Sequence, residues 1–212
     1  MKDFPVFTTE YGVASLMLRE IPYRQEAYIL LQATQQPEEL LRECVSFCTA
    51  CGAEKIYARG HTVLEKYPLH CSILEMRGES CPEESKIEHL WPVTQQTVEK
   101  WREFLNQKLA NVDNAGTLDR HGEKEILDSG GAYFVHHEGR LLGAGWIQED
   151  ELRLIAAAEP GMGERVMHTL LSLVSGRQIR LDVASTNARA IRLYEKMGFI
   201  PIAEKRKWYK IR

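Results

Sequence analysis

Apolar residues recur at two periods along this chain, and the changes of period mark out its elements. Over residues 164–174, Val166, Met167, Leu170, Leu171, Leu173 and Val174 fall three and four apart, the spacing of a helix with one buried face. Residues 152–158, Leu-Arg-Leu-Ile-Ala-Ala-Ala, read instead as a strand, which Pro160, Gly161 and Gly163 bring to an end. Ile179-Arg-Leu-Asp-Val183 alternates as a second strand, and residues 187–199 return to helical spacing. Upstream, 131–137 and 140–147 form a hairpin, with Glu138-Gly139 as a two-residue turn of the primed type. Glu149-Asp150 turns the chain into the 152–158 strand. The order is three antiparallel strands, a glycine loop, a helix, a strand and a helix.

The first half carries a shorter version of the same order. Residues 4–33 read as two strands, 13–18 and 26–33, with Ile21-Pro22-Tyr23-Arg24 as a turn between them. Pro37 opens a helix that runs to Cys51 and stops at Gly52. Residues 55–59 read as a strand, 61–67 as a short helix or turn, and 69–76 as another strand. Two readings stay open: a degenerate, partial copy of the second half, or an unrelated α+β cap. The polar, turn-forming stretch 77–86 is the candidate linker, so the expected domains are 1–80 and 86–212. Residues 87–93 then read as a strand. Thr94, with Thr97 as the alternative, caps a helix striped by Val98, Trp101, Phe104, Leu105 and Leu109. Residues 111–128 read as a mobile loop or an irregular helix, and the basic 205–212 as an exposed edge strand.

Composition narrows the class. Hydrophobic residues make up 44% and charged residues 27%, values of a globular chain. A net charge of −3 argues against nucleic acid as a partner. No apolar run is long enough to span a bilayer, and the N-terminus lacks a signal-peptide core, so the expected location is the cytoplasm, away from membranes. The five cysteines, at 44, 48, 51, 71 and 81, are odd in number and fit reduced thiols better than a disulfide framework. Cys44-Val-Ser-Phe-Cys48-Thr-Ala-Cys51 has the spacing of an iron–sulfur cluster motif. Here, however, it sits in a helical pattern, with Leu40, Leu41, Cys44, Phe47, Cys48 and Cys51 on one face, so buried thiols and no metal are expected.

The glycine loop is where the chemistry concentrates. Gly161-Met162-Gly163 opens a helix, exposing backbone N–H groups beside the positive end of the helix dipole, a site for anions and above all phosphate. Further on, the chain reads Asn187-x-x-Ala190-x-x-Leu193-Tyr194-Glu195-Lys196-x-Gly198-Phe199. With the glycine loop, this segment resembles the acyl-CoA N-acyltransferases of the GNAT superfamily over about residues 86–212. One departure stands out: Ala158 occupies the slot where the family usually carries Arg or Gln.

The resemblance implies an α/β (α+β) fold: a mixed, mostly antiparallel sheet flanked by helices, preceded by the smaller α/β domain. It implies an N-acetyltransferase that moves an acetyl group from acetyl-CoA to a primary amine of a small molecule or peptide, and it is compatible with a homodimer. The cofactor is expected between two splayed strands. Its pantetheine arm would lie along Ile155, Ala156 and Ala157, with its phosphates on Gly161, Met162, Gly163, Glu164 and Arg165, within reach of Arg189 or Arg192. Asn187 is expected near the cofactor and as a helix cap, and Tyr194 as the acid that assists the departing thiolate. The base stays unassigned among Glu149, Asp150, Glu151, His136 and His137. Two rival functions are a degenerate module that only binds acyl-CoA or an amino acid, which Ala158 favours, and a metal protein built on the three cysteines. For the first half, Ala33-Thr-Gln-Gln-Pro37 lacks the glycine a phosphate turn needs, so no cofactor is expected there.

Overall fold

The computed structural model describes residues 5–80, 84–113 and 115–212, and their contacts separate into two units. The first holds the residues up to Ser72 together with 205–212; the second holds 73–204.

In the first unit, β1 (Val6–Thr9), β2 (Gly12–Met17) and β3 (Glu26–Thr34) form an antiparallel meander. Two strands were expected across this region; β1 is the addition, hairpinned onto β2 through Thr9 and Gly12. The expected turn is a one-turn helix, α1 (Ile21–Arg24), in which Pro22 favours helical backbone and Gln25, at φ +57°, ends it. Helix α2 (Pro37–Ala50) then leads to β4 (Lys55–Arg59), which runs parallel to β3 through five pairs, from Glu26 opposite Lys55 to Leu30 opposite Arg59. The α2 face seats Leu40, Leu41, Cys44 and Cys48 in the core, while Phe47 and Cys51 turn outward. Burial pushes the Cys44 thiol up to about 12 and the Cys48 thiol up to about 11, so both stay protonated core groups. Among the described residues no three His, Cys, Asp or Glu side chains gather as a metal site; Cys81 lies outside those residues.

The last strand, β11 (Ile200–Lys210), brings its end back to the first unit, where Tyr209 pairs with Ala58 and Lys210 with Tyr57. Residues 205–212 are therefore not the edge strand their charge suggested. Alternation decides the matter: Tyr209 joins the α2-side core, and Trp208, 5% exposed, packs edge-on against Tyr28 with the Arg59 guanidinium 5.2 Å over its ring.

In the second unit, β5 (Leu69–Glu79) pairs from Ile73 to Glu79 with β10 (Gln178–Ala184). The expected linker at 77–86 thus begins as strand, with Gly78 tight against the Phe199 ring and the buried Ser80 donating to the Leu171 carbonyl at 2.6 Å. The contact boundary falls between Ser72 and Ile73, not at residues 80–86. A second antiparallel run, β6 (His89–Pro92), β7 (Ala132–His137), β8 (Arg140–Gln148) and β9 (Glu151–Ala157), follows. The β7–β8 turn has Glu138 at φ +48° and Gly139 at φ +81°, as a primed turn requires. Helices α3 (Val98–Leu109) and α4 (Glu123–Ser129) cover one face, burying Trp101, Leu105 and Ile126 against Ala144, Trp146 and Ala156. Thr97, not Thr94, stands at the α3 N-cap position, its hydroxyl accepting from the Thr94 N–H at 2.9 Å. The stretch between the helices is pinned rather than loose: the Asn106 amide donates to Leu118 O at 2.8 Å and accepts from Leu118 N at 2.9 Å.

Helices α5 (Gly163–Leu171) and α6 (Ala188–Lys196) pack on the other core, with Leu142, Leu152, Val166, Met167, Leu170, Leu181 and Tyr194. At Gly145 a β-carbon would stand 2.4 Å from Leu170 Cδ1, so glycine there admits α5 close to the sheet. Among the described residues, no helix is long and apolar enough to cross a membrane. Both units follow one order: three antiparallel strands, a helix, and a strand parallel to the third.

Candidate functional site

The site begins where β9 and β10 part. They are parallel neighbours, yet a single pair, Arg180 opposite Glu151, joins them among the described residues. Arg180 closes that end, its N–H on the Asp150 carbonyl at 2.8 Å and its guanidinium 3.4 Å from the Glu151 carboxylate. Just beyond, the β8–β9 register slips: Trp146 faces Leu154 and Ile147 faces Leu152, leaving Arg153 as a bulge. A bulge bends its strand and increases its twist. From there β9 follows β8, β10 follows β5, and the facing backbone edges of β9 and β10 are left without partners in each other. In the first unit the slip comes late, at Gln32, and β3 and β4 stay zipped through five pairs.

Because β9 and β10 are parallel, their open ends lead into the N-termini of α5 and α6 together. Both helix dipoles thus present positive ends to one mouth. Gly161, at φ +91°, bends the loop, and a β-carbon on it would meet nothing within 4 Å, so the loop surface is open at that point. At Gly163 a β-carbon would come 3.2 Å from Leu193 Cδ2, so the start of α5 lies directly against α6. Asn187 caps α6, its Oδ1 accepting from Ala190 N at 3.2 Å.

Tyr194 is 7% exposed and packs in one core cluster with Leu181 and Val183 of β10 and Ile155 of β9. Its hydroxyl has no hydrogen-bond partner among the described residues. Burial pushes its phenol up to about 12, so it remains protonated across the neutral range.

The remaining expected residues divide by what already holds them. The side chain of Glu164 is bound between Lys86, at 2.7 Å, and Lys196, and these ammonium groups hold its carboxyl down at about 2. Arg165 pairs with the buried carboxylate of Glu88, which His137 Nδ1 also meets at 2.7 Å. These two positions therefore offer the mouth their backbone N–H groups rather than their charges. Arg189 and Arg192 are exposed on α6. Among the base candidates, Asp150 and Glu151 sit at the closed end with Arg180, His137 is engaged with Glu88, and His136 packs against Trp91 with the rings tilted by 40° and their centroids 5.7 Å apart. One cation came with no warning from the sequence: Lys108, near the end of α3, donates to the Ala158 carbonyl at 2.5 Å. Fifty residues separate the pair, and no local pattern announces such a contact.

No protein-family model and no curated protein sequence matches the chain. Solved structures do. A conserved protein of unknown function from Staphylococcus epidermidis aligns with 98% of this chain and 93% of its own, at TM-score 0.58 and 11% identity. A GCN5-related N-acetyltransferase from Sphaerobacter thermophilus aligns over 94% of this chain and 76% of its own, at TM-score 0.51 and 11% identity. A GNAT-family acetyltransferase from Colwellia psychrerythraea covers 98% and 84%, at TM-score 0.50 and 14% identity. The fold is thus the GNAT fold, a mixed, mostly antiparallel sheet flanked by helices.

Proposed function

We propose that the protein is an acetyl-CoA-dependent N-acetyltransferase acting on a primary amine. The observation that carries this reading is Tyr194, whose ring is buried in the cluster where β9 and β10 part and whose hydroxyl has no protein partner among the described residues. An O–H not taken up by the protein is free to donate to a ligand that enters between the parted strands.

The residues fit the cofactor in three places. The free backbone edge of β9, at Ile155, Ala156 and Ala157, suits a pantetheine arm added as a further strand. The N–H groups of Gly163, Glu164 and Arg165 suit its phosphates, beside the bend at Gly161 and Met162. Tyr194 suits the sulfur. Acetyl-CoA supplies the activated thioester when bound. Tyr194 then holds a proton at its hydroxyl and donates a hydrogen bond to the sulfur as that atom takes up charge. Complete transfer from a phenol near 12 to a thiolate near 8.5 runs uphill, so the role is stabilisation of that charge, with water delivering the final proton. The acceptor amine must lose a proton to attack; of the candidate bases, Asp150 and Glu151 lie at the closed end, whereas His136 and His137 lie opposite Leu141 and Arg140, toward the part of β8 that pairs with Ala157 at the open end.

A catalytically degenerate binding module is the second reading, favoured by Ala158. Turnover of acetyl-CoA against a broad panel of primary amines separates the two. Thiol release that depends on an amine supports the transferase; saturable CoA binding with no turnover on any amine supports the module. The first unit is assigned no cofactor, because β3 and β4 do not part and the 34–37 turn has no glycine.

A further inference from the structure

We propose that Lys108 is a phosphate ligand of the cofactor site, supplying from α3 the positive charge that Ala158 does not carry; the proposal rests on the acetyl-CoA reading above. Position 158 ends the strand that enters the glycine loop, and an alanine there sends no donor toward a phosphate. The Lys108 ammonium stands one hydrogen bond, 2.5 Å, from the backbone oxygen of that same residue. Its Nζ also lies 5.8 Å from the centre of the Phe104 ring, one helical turn back, which lays the stem along α3.

The charges around the loop leave this lysine uncommitted. The loop and first turn of α5 carry two carboxylates, Glu159 and Glu164. Arg140 is spent on Glu159 at 2.5 Å, Lys86 and Lys196 on Glu164, and Arg165 on Glu88. These four cations are each matched to an acid, whereas Lys108, which touches the segment at Ala158, makes no ion pair among the described residues. An ammonium has three N–H donors, and the Ala158 carbonyl takes one. Two remain for phosphate oxygens beside the N-terminus of α5, and the carbonyl holds the group in place beforehand.

The test uses the full chain and two ligands: CoA, which carries the phosphates, and pantetheine, which has the same arm without them. Binding of CoA is measured by calorimetry and of pantetheine by ligand-observed NMR, for the parent protein, Lys108→Met and Lys108→Arg, with thermal melting to verify folding. The expected result is a loss of about tenfold in CoA affinity for Lys108→Met at low ionic strength, shrinking with added salt. Pantetheine binding stays the same, and Lys108→Arg recovers most of the CoA affinity. Unchanged CoA affinity in Lys108→Met overturns the proposal and leaves the CoA reading intact. Equal weakening of both ligands also overturns it, because the lysine then acts through the end of β9. If the parent protein binds neither ligand, the CoA reading itself falls, and the role of Lys108 with it.

Discussion

Replacing Tyr194 by phenylalanine separates chemistry from stability with unusual clarity in this protein. A buried tyrosine hydroxyl ordinarily bonds to the protein, and its loss costs about 1 kcal/mol. Here the ring is 7% exposed, the hydroxyl has no partner among the described residues, and the ring itself contacts the core, with Phe199 at 6.3 Å between centroids. Phenylalanine keeps every one of those ring contacts. The Tyr194→Phe protein should therefore match the parent's stability to within about 0.5 kcal/mol, which for two hundred residues is roughly 1–2 °C in melting temperature. Turnover should fall by about 10² to 10³, the usual cost of one positioned donor to developing charge. The pair of assays is scanning calorimetry without ligand and amine-dependent release of CoA thiol. Because burial raises the phenol to about 12, the parent's rate should show no falling limb below about pH 10. Full activity in Tyr194→Phe would reduce the tyrosine to packing. A drop of several degrees in melting temperature would mean that the hydroxyl has a structural partner, and the argument from its freedom would fail.

Two further outcomes follow from the same site. Gly163→Asp places a carboxylate at the start of α5, with its β-carbon against Leu193, and should abolish CoA binding; calorimetry on the parent should find one acetyl-CoA site per chain, and a second site that survives the substitution would place a cofactor in the first unit. Glu164→Gln should lower stability at neutral pH. The carboxyl of Glu164 is depressed from 4.5 to about 2 by Lys196 and Lys86, so its contribution is complete above about pH 4.5 and is lost as pH falls toward 2. Parent and variant melting curves should therefore converge over that interval, and a constant gap down to pH 2 would contradict the ion-pair account.

Local chemistry announced much of the second unit. A Glu-Gly pair between two alternating runs has few options but a primed turn, and an asparagine before a helical stripe is a cap; both stand as read. What the sequence hid is the pairing of distant strands. Nothing near Arg153 marks it as a bulge, since the slip is defined by β8 as much as by β9. The basic residues at 205–212 describe side chains, whereas an edge is a property of the backbone, which here pairs with β4. The 77–79 stretch looked like a linker because its two charged residues, Arg77 and Glu79, are exposed while the residue between them, Gly78, is buried but has no side chain to show as apolar. For Glu164 and Arg165, the motif placed the backbone near the loop but could not foresee that Lys86, Lys196 and Glu88 would claim the side chains. Tyr194 was legible as a candidate because its helix carries its own signature; Lys108 was not, because its one polar contact among the described residues is a carbonyl fifty residues away.

The return of β11 to β4 also sets a timetable for synthesis. Most of the first unit is translated early, yet the strand that pairs with Tyr57 and Ala58 is made only after the whole of the second unit. At ordinary elongation rates the ribosome needs roughly 8–30 s to add the intervening residues. Throughout that time one side of β4 is a bare row of amides and carbonyls, open to any extended segment nearby. The first unit therefore completes its folding only once residues 205–212 are available, and the growing chain passes through a stage in which a chaperone, or its own unfinished second half, has reason to shield that strand.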